Sequence, residues 1–165
     1  WLFAALFALT GCEQQQTSHV GAKSSPVSGL RQATDFTLPD LAGRSHTLTE
    51  YLARGPVLLV FFTTWCPYCR KAIPALKQIH TDYGDGRLTV VAVNAGLADS
   101  LENARRYALE HRLPYPVLYD ADGSVSARYG VQGVPRMFLV RGDGTVVANA
   151  TRVPREAVDT LMEAD

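Results

Sequence analysis

A chain of 165 residues has room for one domain with a real core and some tail. Its 47% hydrophobic and 19% charged residues suit a soluble globular protein, and a formal net charge of zero gives no electrostatic case for nucleic acid or an acidic surface as partner. Three cysteines, Cys12, Cys66 and Cys69, are too few for a disulfide framework.

The opening WLFAALFALTGC is apolar from Trp1 to Leu9 and ends in small residues before Cys12. The run is too short to span a bilayer and reads as the apolar part of a secretory signal over 1–12. No initiator Met or basic region precedes it, so the true start is expected to lie upstream. LTGC resembles the lipobox of bacterial lipoproteins, which implies that Cys12 becomes the first mature residue and carries a lipid. An ordinary signal with a chance cysteine is the plainer alternative. Glu13 follows, not the Asp that this resemblance links with inner-membrane retention, so the lean is toward the outer membrane. Residues 13–32 are polar, carry Gly, Ser and Pro without periodicity, and read as a flexible tether. A stretch of that length gives an end-to-end distance on the order of 25 Å. A lipid would then hold the domain near a membrane without a spanning helix.

The domain begins at Ala33 and is expected to run to 165. DFTLPD and SHTL alternate as two short strands, with Ala42 to Arg44 turning between them. Thr49 is the expected cap of a short helix through EYLA. Pro56 to Thr63 is nearly all apolar, the pattern of a strand buried on both faces. A helix is predicted from about Cys66 to Tyr83, a second buried strand over Leu88–Asn94, and a helix through LENARRYALEHR opened by Asp99 or Ser100. YPVLYD is a short extended segment and GSVSARYG a short helix ending at Gly130. RMFLV and TVVANA form a hairpin around Asp143-Gly144, and PREAVDTLMEAD is a closing helix with Pro154 at its start. Strands alternating with helices and ending in a hairpin predict an α/β sandwich with a mixed central sheet, without repeats or a second domain.

Cys66 and Cys69 follow a buried strand and open a helix, so both lie on one face of its first turn, within reach of a disulfide. Cys66 takes the N-cap position and Pro67 the first helical position, where a missing N–H costs nothing. The Cys66 sulfur then faces the free N–H groups of Tyr68 and Cys69, which with the helix dipole favour a thiolate. Cys66 is thus the candidate nucleophile. Cys69, one turn in and expected to be less exposed, is the candidate resolving thiol with an ordinary or raised pKa. As a structural staple the pair closes too small a loop to matter. A metal clip needs two more ligands, yet His19, His46, His80 and His111 are scattered and read as surface residues; c-type haem needs His after Cys69, where Arg70 stands. Neither metal nor cofactor is expected.

WCPYC after an apolar strand, Pro74 inside the following helix and GVPRMFLV downstream resemble the thioredoxin fold. The resemblance implies that Pro135 is the cis-proline beside the redox pair and that the Val134 backbone pairs with an extended substrate segment. The DFTLPDLAGRSHTL hairpin extension and YPVLYDADGSVSARYGV are similar to the TlpA/ResA-like extracytoplasmic oxidoreductases, from about Thr34 to the C-terminus. That family implies thiol exchange with exported proteins, often as a reductant, a membrane anchor, a membrane thiol electron donor and no cofactor. A monomer is the default. Trp65, Pro67 and Tyr68 are expected at the docking rim and Arg136 beside the substrate groove, where it could steer partner choice or be a plain surface charge. Arg70 and Lys71 could do the same or form a solvated helix face.

Two departures bear on direction. Val60 stands where thioredoxins carry a buried Asp, and Leu97 where the ResA-like subset carries a Glu. Without either carboxylate the thiolate is favoured and the disulfide becomes a better oxidant. Reductase is the first reading, with oxidant or isomerase as the alternative. Water is the expected proton carrier for Cys69, with Tyr68 a weak candidate. The hairpin also resembles the start of peroxiredoxins, although the P-x-x-x-T-x-x-C signature is missing, with Phe62 at its Pro position. A non-catalytic binding module using the Pro135 groove is the remaining alternative.

Overall fold

A computed structural model describes residues 31–96 and 99–164. The readings of the signal segment, the lipid at Cys12, the tether up to residue 30 and the missing carboxylate at Leu97 lie outside these residues.

The described chain runs β1 (Thr37–Pro39), β2 (Ser45–Thr47), α1 (Leu48–Leu52), β3 (Val57–Phe62), α2 (Pro67–Tyr83), β4 (Thr89–Asn94), α3 (Leu101–Glu110), β5 (Val117–Tyr119), α4 (Ser124–Arg128), β6 (Arg136–Val140), β7 (Val146–Ala150) and α5 (Arg155–Ala164). This is a thioredoxin-like fold. Its five-stranded sheet has the order β5-β4-β3-β6-β7, with β4 parallel to β3 and β5, and β6 antiparallel to β3 and β7.

The apolar run of β3 explains why that strand is central. Leu58, Val60 and Phe62 point to one core with Ile73, Leu76, Tyr107, Val158 and Leu161 of α2, α3 and α5. Val57, Leu59 and Phe61 point to the other, with Leu48, Tyr51, Val125 and Phe138. All six β3 residues are buried, and each large aliphatic side chain so placed contributes about 1.5–3 kcal/mol of transfer free energy.

β1 and β2 form the N-terminal hairpin. Its turn is organised by Asp40, whose carboxylate accepts from the Ala42 and Arg44 N–H groups and from Arg44 Nε, with His46 Nε2 3.2 Å away. The Arg44 N–H is the largest of these influences in holding the Asp40 carboxyl far below the usual range. Asp40 also bridges to Leu118 of the edge strand β5. At the opposite edge Arg31 accepts from the Val146 N–H and Gln32 bridges to Thr145, so pairing with the sheet begins before Ala33.

The cap of α1 differs from expectation. Thr47, not Thr49, is the N-cap: its hydroxyl accepts from the Glu50 N–H, while the Glu50 carboxylate accepts from the Thr47 N–H. The reciprocal pair satisfies two free donors, which Thr49 could not do with Glu50 as its neighbour. Among the described residues no helix is long and apolar enough to cross a membrane.

Candidate active site

Three pieces meet at the end of β3. The first is the turn that delivers the cysteines. Asp99, at the head of α3, accepts from the Thr64 N–H at 2.7 Å, the Thr64 hydroxyl at 2.9 Å and the side-chain amide of fully buried Asn94 at 2.9 Å. Burial raises the Asp99 pKa, but these donors outweigh it and hold the carboxyl below its ordinary value. Sequence reading took Asp99 only as a possible helix cap. Ser100 fills that role, and Asp99 is free to turn inward.

The second piece is the start of α2. Cys66 is its N-cap, Pro67 its first residue, and the Cys69 N–H donates to the Cys66 sulfur at 3.1 Å. Tyr68 makes no such bond among the described residues, so one of the two expected donors is engaged. The bond and the helix dipole stabilise negative charge on that sulfur. Both cysteines are free thiols. Cys69 was expected to be the less exposed, but the two are equally buried, at 3% for Cys66 and 4% for Cys69. The reason is the third piece, which covers Cys66. Burial, with the contact to Cys66 next, pushes the Cys69 thiol well above its usual pKa.

The third piece is the corner before β6. The Val134–Pro135 peptide is cis, and the Cys66 thiol lies 3.5 Å from the Val134 carbonyl oxygen, to which it donates. A groove of about 810 Å³ opens here, lined by Tyr68, Lys71, Val134, Pro135, Arg136 and Arg152 among others. Trp65 and Pro67 do not line it; Trp65 is 61% exposed and Tyr68 68%. Arg136 leans over the Phe138 ring at 6.0 Å, and its Nε is buried without a hydrogen-bond partner among the described residues.

Behind the pair, Val60 joins Cys69, Phe62, Tyr107, Tyr115 and Pro135 around a small apolar cavity. Tyr107, stacked on Phe62 at 5.4 Å, escaped sequence reading because it sits at a core position of an ordinary amphipathic helix. Among the described residues no group of three His, Cys, Asp or Glu could hold a metal ion.

A mixed five-stranded sheet, a C-x-x-C dithiol at a helix N-terminus and a cis-proline against the first sulfur define a thioredoxin-fold protein. The chain belongs to the AhpC/TSA family, which it matches over residues 30–149. Similar relatives include the thiol-disulfide oxidoreductase ResA of Geobacillus thermodenitrificans, 35% identical over 69% of this chain, and the thioredoxin-like protein YneN of Bacillus subtilis, 34% identical over 88% of this chain and 83% of YneN. The ResA match spans 64% of that protein's own length. Among solved structures, a secreted Mycobacterium tuberculosis disulfide oxidoreductase homologous to Escherichia coli DsbE is 25% identical with a TM-score of 0.66, covering 79% of this chain and 96% of that one. Peroxidoxin BcpB of M. tuberculosis is 25% identical with a TM-score of 0.70, covering 82% and 96%.

Proposed function

We propose that this protein is an extracytoplasmic thiol–disulfide oxidoreductase that reduces disulfides in exported proteins through Cys66 and Cys69. The observation that carries the reading is the environment of the Cys66 sulfur: a Cys69 N–H at 3.1 Å on one side and the Val134 carbonyl of the cis-proline corner at 3.5 Å on the other. The names of ResA and of the secreted DsbE homologue support the same chemistry.

In the first step the Cys66 thiolate attacks one sulfur of a substrate disulfide. The S–S bond breaks, one substrate thiolate leaves, and a Cys66–substrate mixed disulfide forms. In the second step Cys69 loses its proton and attacks the Cys66 sulfur; the second substrate thiol leaves and the Cys66–Cys69 disulfide closes. Two electrons pass to the substrate, and a membrane thiol donor returns them. The dithiol carries the electrons, so no cofactor enters. The Val134 backbone offers pairing to an extended substrate segment, with Tyr68 lining the groove and the exposed Trp65, next to Cys66 in the chain, outside it. A lipid at Cys12 and the tether would keep the domain at a membrane, the outer one by the lean of Glu13, as a monomer.

The test is the reduction potential of the pair, by equilibration with dithiothreitol or glutathione. A value near or below the roughly −270 mV of thioredoxin is the result expected of a reductant; one toward the roughly −120 mV of DsbA would replace that direction with oxidant or isomerase. The likeness to peroxidoxin BcpB raises a second reading, thiol peroxidase. Peroxide consumption faster than protein-disulfide reduction would establish it.

A further inference from the structure

The groove beside Pro135 is charged with one sign. Lys71 of α2, Arg136 of β6 and Arg152 of the β7–α5 connection line it, and among the described residues no carboxylate does. This occurs in a chain whose basic and acidic residues each number 16. Arg44, Arg87 and Arg155 find carboxylates on this chain, whereas Arg136 forms no ion pair among the described residues. Its Nε–H is a buried donor without an acceptor among the described residues, at the residue that follows the cis-proline. Such a donor is unfavourable until an acceptor arrives, and a carboxylate is the acceptor a guanidinium binds best.

We propose that the disulfides this protein reduces lie on acidic segments, with a substrate Asp or Glu close to the attacked cysteine bound by Arg136 and drawn in by Lys71 and Arg152. The proposal rests on the oxidoreductase reading. Exposed Lys71 and Arg152 act on encounter and are screened by salt, while the half-buried Arg136 holds the bound segment.

The test uses three disulfide peptides, identical except for Glu, Ser or Lys beside the cysteines, and a small neutral disulfide as reference. Reduction by the wild-type dithiol should be about tenfold faster for the Glu than for the Lys peptide at low salt, with the gap shrinking at high salt. Arg152→Glu, a change at an exposed side chain, should narrow or invert the order, and Arg136→Gln should narrow it even at high salt. Equal rates for Glu and Lys peptides, with the neutral disulfide still reduced, overturn this proposal and leave the oxidoreductase reading standing. Failure to reduce the neutral disulfide overturns both.

On the inner side of the dithiol, the cavity beneath Cys69 has a volume of about 20 Å³, enough for one water. Tyr107 is 6% exposed, and its hydroxyl is buried without a hydrogen-bond partner among the described residues. The same residue lines an outer pocket with Thr64, Arg70, Asn103, Arg106, Glu110 and His111, and among the described residues it alone borders both spaces. We infer that Tyr107 relays the Cys69 proton, through one water in the inner cavity, to the outer pocket. Burial, with the nearby Cys69 next, pushes the phenol up to about 12. Tyr107 therefore works as a hydroxyl that accepts one proton while passing on another, and never as a phenolate base. Charge balances: Cys69 ends as a thiolate ready to attack Cys66, and solvent in the outer pocket carries the proton.

Tyr107→Phe removes the hydroxyl and keeps the ring on Phe62, so the fold should be as stable as the wild type or more so. Closure of a preformed mixed disulfide should slow about tenfold or more and lose its solvent deuterium isotope effect. The first attack, measured in a Cys69→Ser background, should be unaffected. Unchanged closure rate and isotope effect overturn the relay.

Discussion

Cys69 carries a consequence for stability. Its thiol is raised in the folded protein above the ordinary 9.0, mainly by burial. A folded-state pKa above the unfolded one means that the native protein holds its proton more tightly. That stability is fully present below about pH 9 and is lost as the pH rises toward the raised value. Only the reduced form has this proton, and Tyr107, raised by burial and in part by Cys69, adds to the difference in the same direction. The difference between the denaturation midpoints of reduced and oxidised protein should therefore shift against the reduced form above pH 9. A difference independent of pH up to 11 would contradict the burial seen for Cys69. Asp99 has the opposite sign. Its lowered pKa supplies stability that is present above the ordinary 3.8 and lost as pH falls through the folded value. Asp99→Ala strands the Thr64 N–H and the Asn94 amide and should cost ~1–3 kcal/mol at pH 7, with the gap from wild type closing in acid. Urea titrations across that range would measure it. Both cysteine positions and their relation to the helix were legible, because a C-x-x-C after an apolar run has few readings. Asp99 was not, because an Asp-Ser pair before a helix offers two equivalent caps and only packing decides which turns inward.

At the scale of elements, local rules located nearly every strand and helix, and the misplaced cap of α1 was itself legible. Thr47 and Glu50 have the T-x-x-E spacing of a capping box, which outranks the nearer Thr49. Register and strand neighbours were less accessible. The β3 pattern announces burial on both faces, but not that β6 would pair with it in antiparallel sense, Phe61 opposite Arg136, and so bring Pro135 to Cys66. The Cys66–Val134 contact at that corner links positions 68 apart in the chain, and only the resemblance to a known fold anticipated it. The link between β4 and α3 is equally demanding. Gly96 sits at φ +63, and a methyl there would run into the Asp120 carbonyl oxygen. Gly96→Ala should destabilise the protein by several times the roughly 1 kcal/mol of a simple left-handed glycine. It should also slow disulfide exchange, because the same link places Asp99 against Thr64. Wild-type stability of that variant in thermal unfolding would remove this account of the turn.

Over the whole molecule, the central strands are enclosed by two cores and the hairpin is held mainly by Asp40, Phe36 and Leu38. Amide hydrogen exchange should divide accordingly: β3, β4 and β6 exchanging only with global unfolding, β1 and β2 at a much lower free energy. Protection of the hairpin equal to that of β3 would show a single cooperative unit. The segments at the sheet margins have a further consequence. Asp40 lies along β5 and Arg31 to Ala33 lie along the start of β7, so both outermost strands meet part of this chain before they could meet another. Under the proposed function the protein would meet unfolded, cystine-bearing chains, extended peptides that seek a strand to join. On the proposed function, shielded margins would turn such peptides away from indiscriminate sheet extension and leave the backbone at Val134, next to the Cys66 sulfur, as the place for an extended chain.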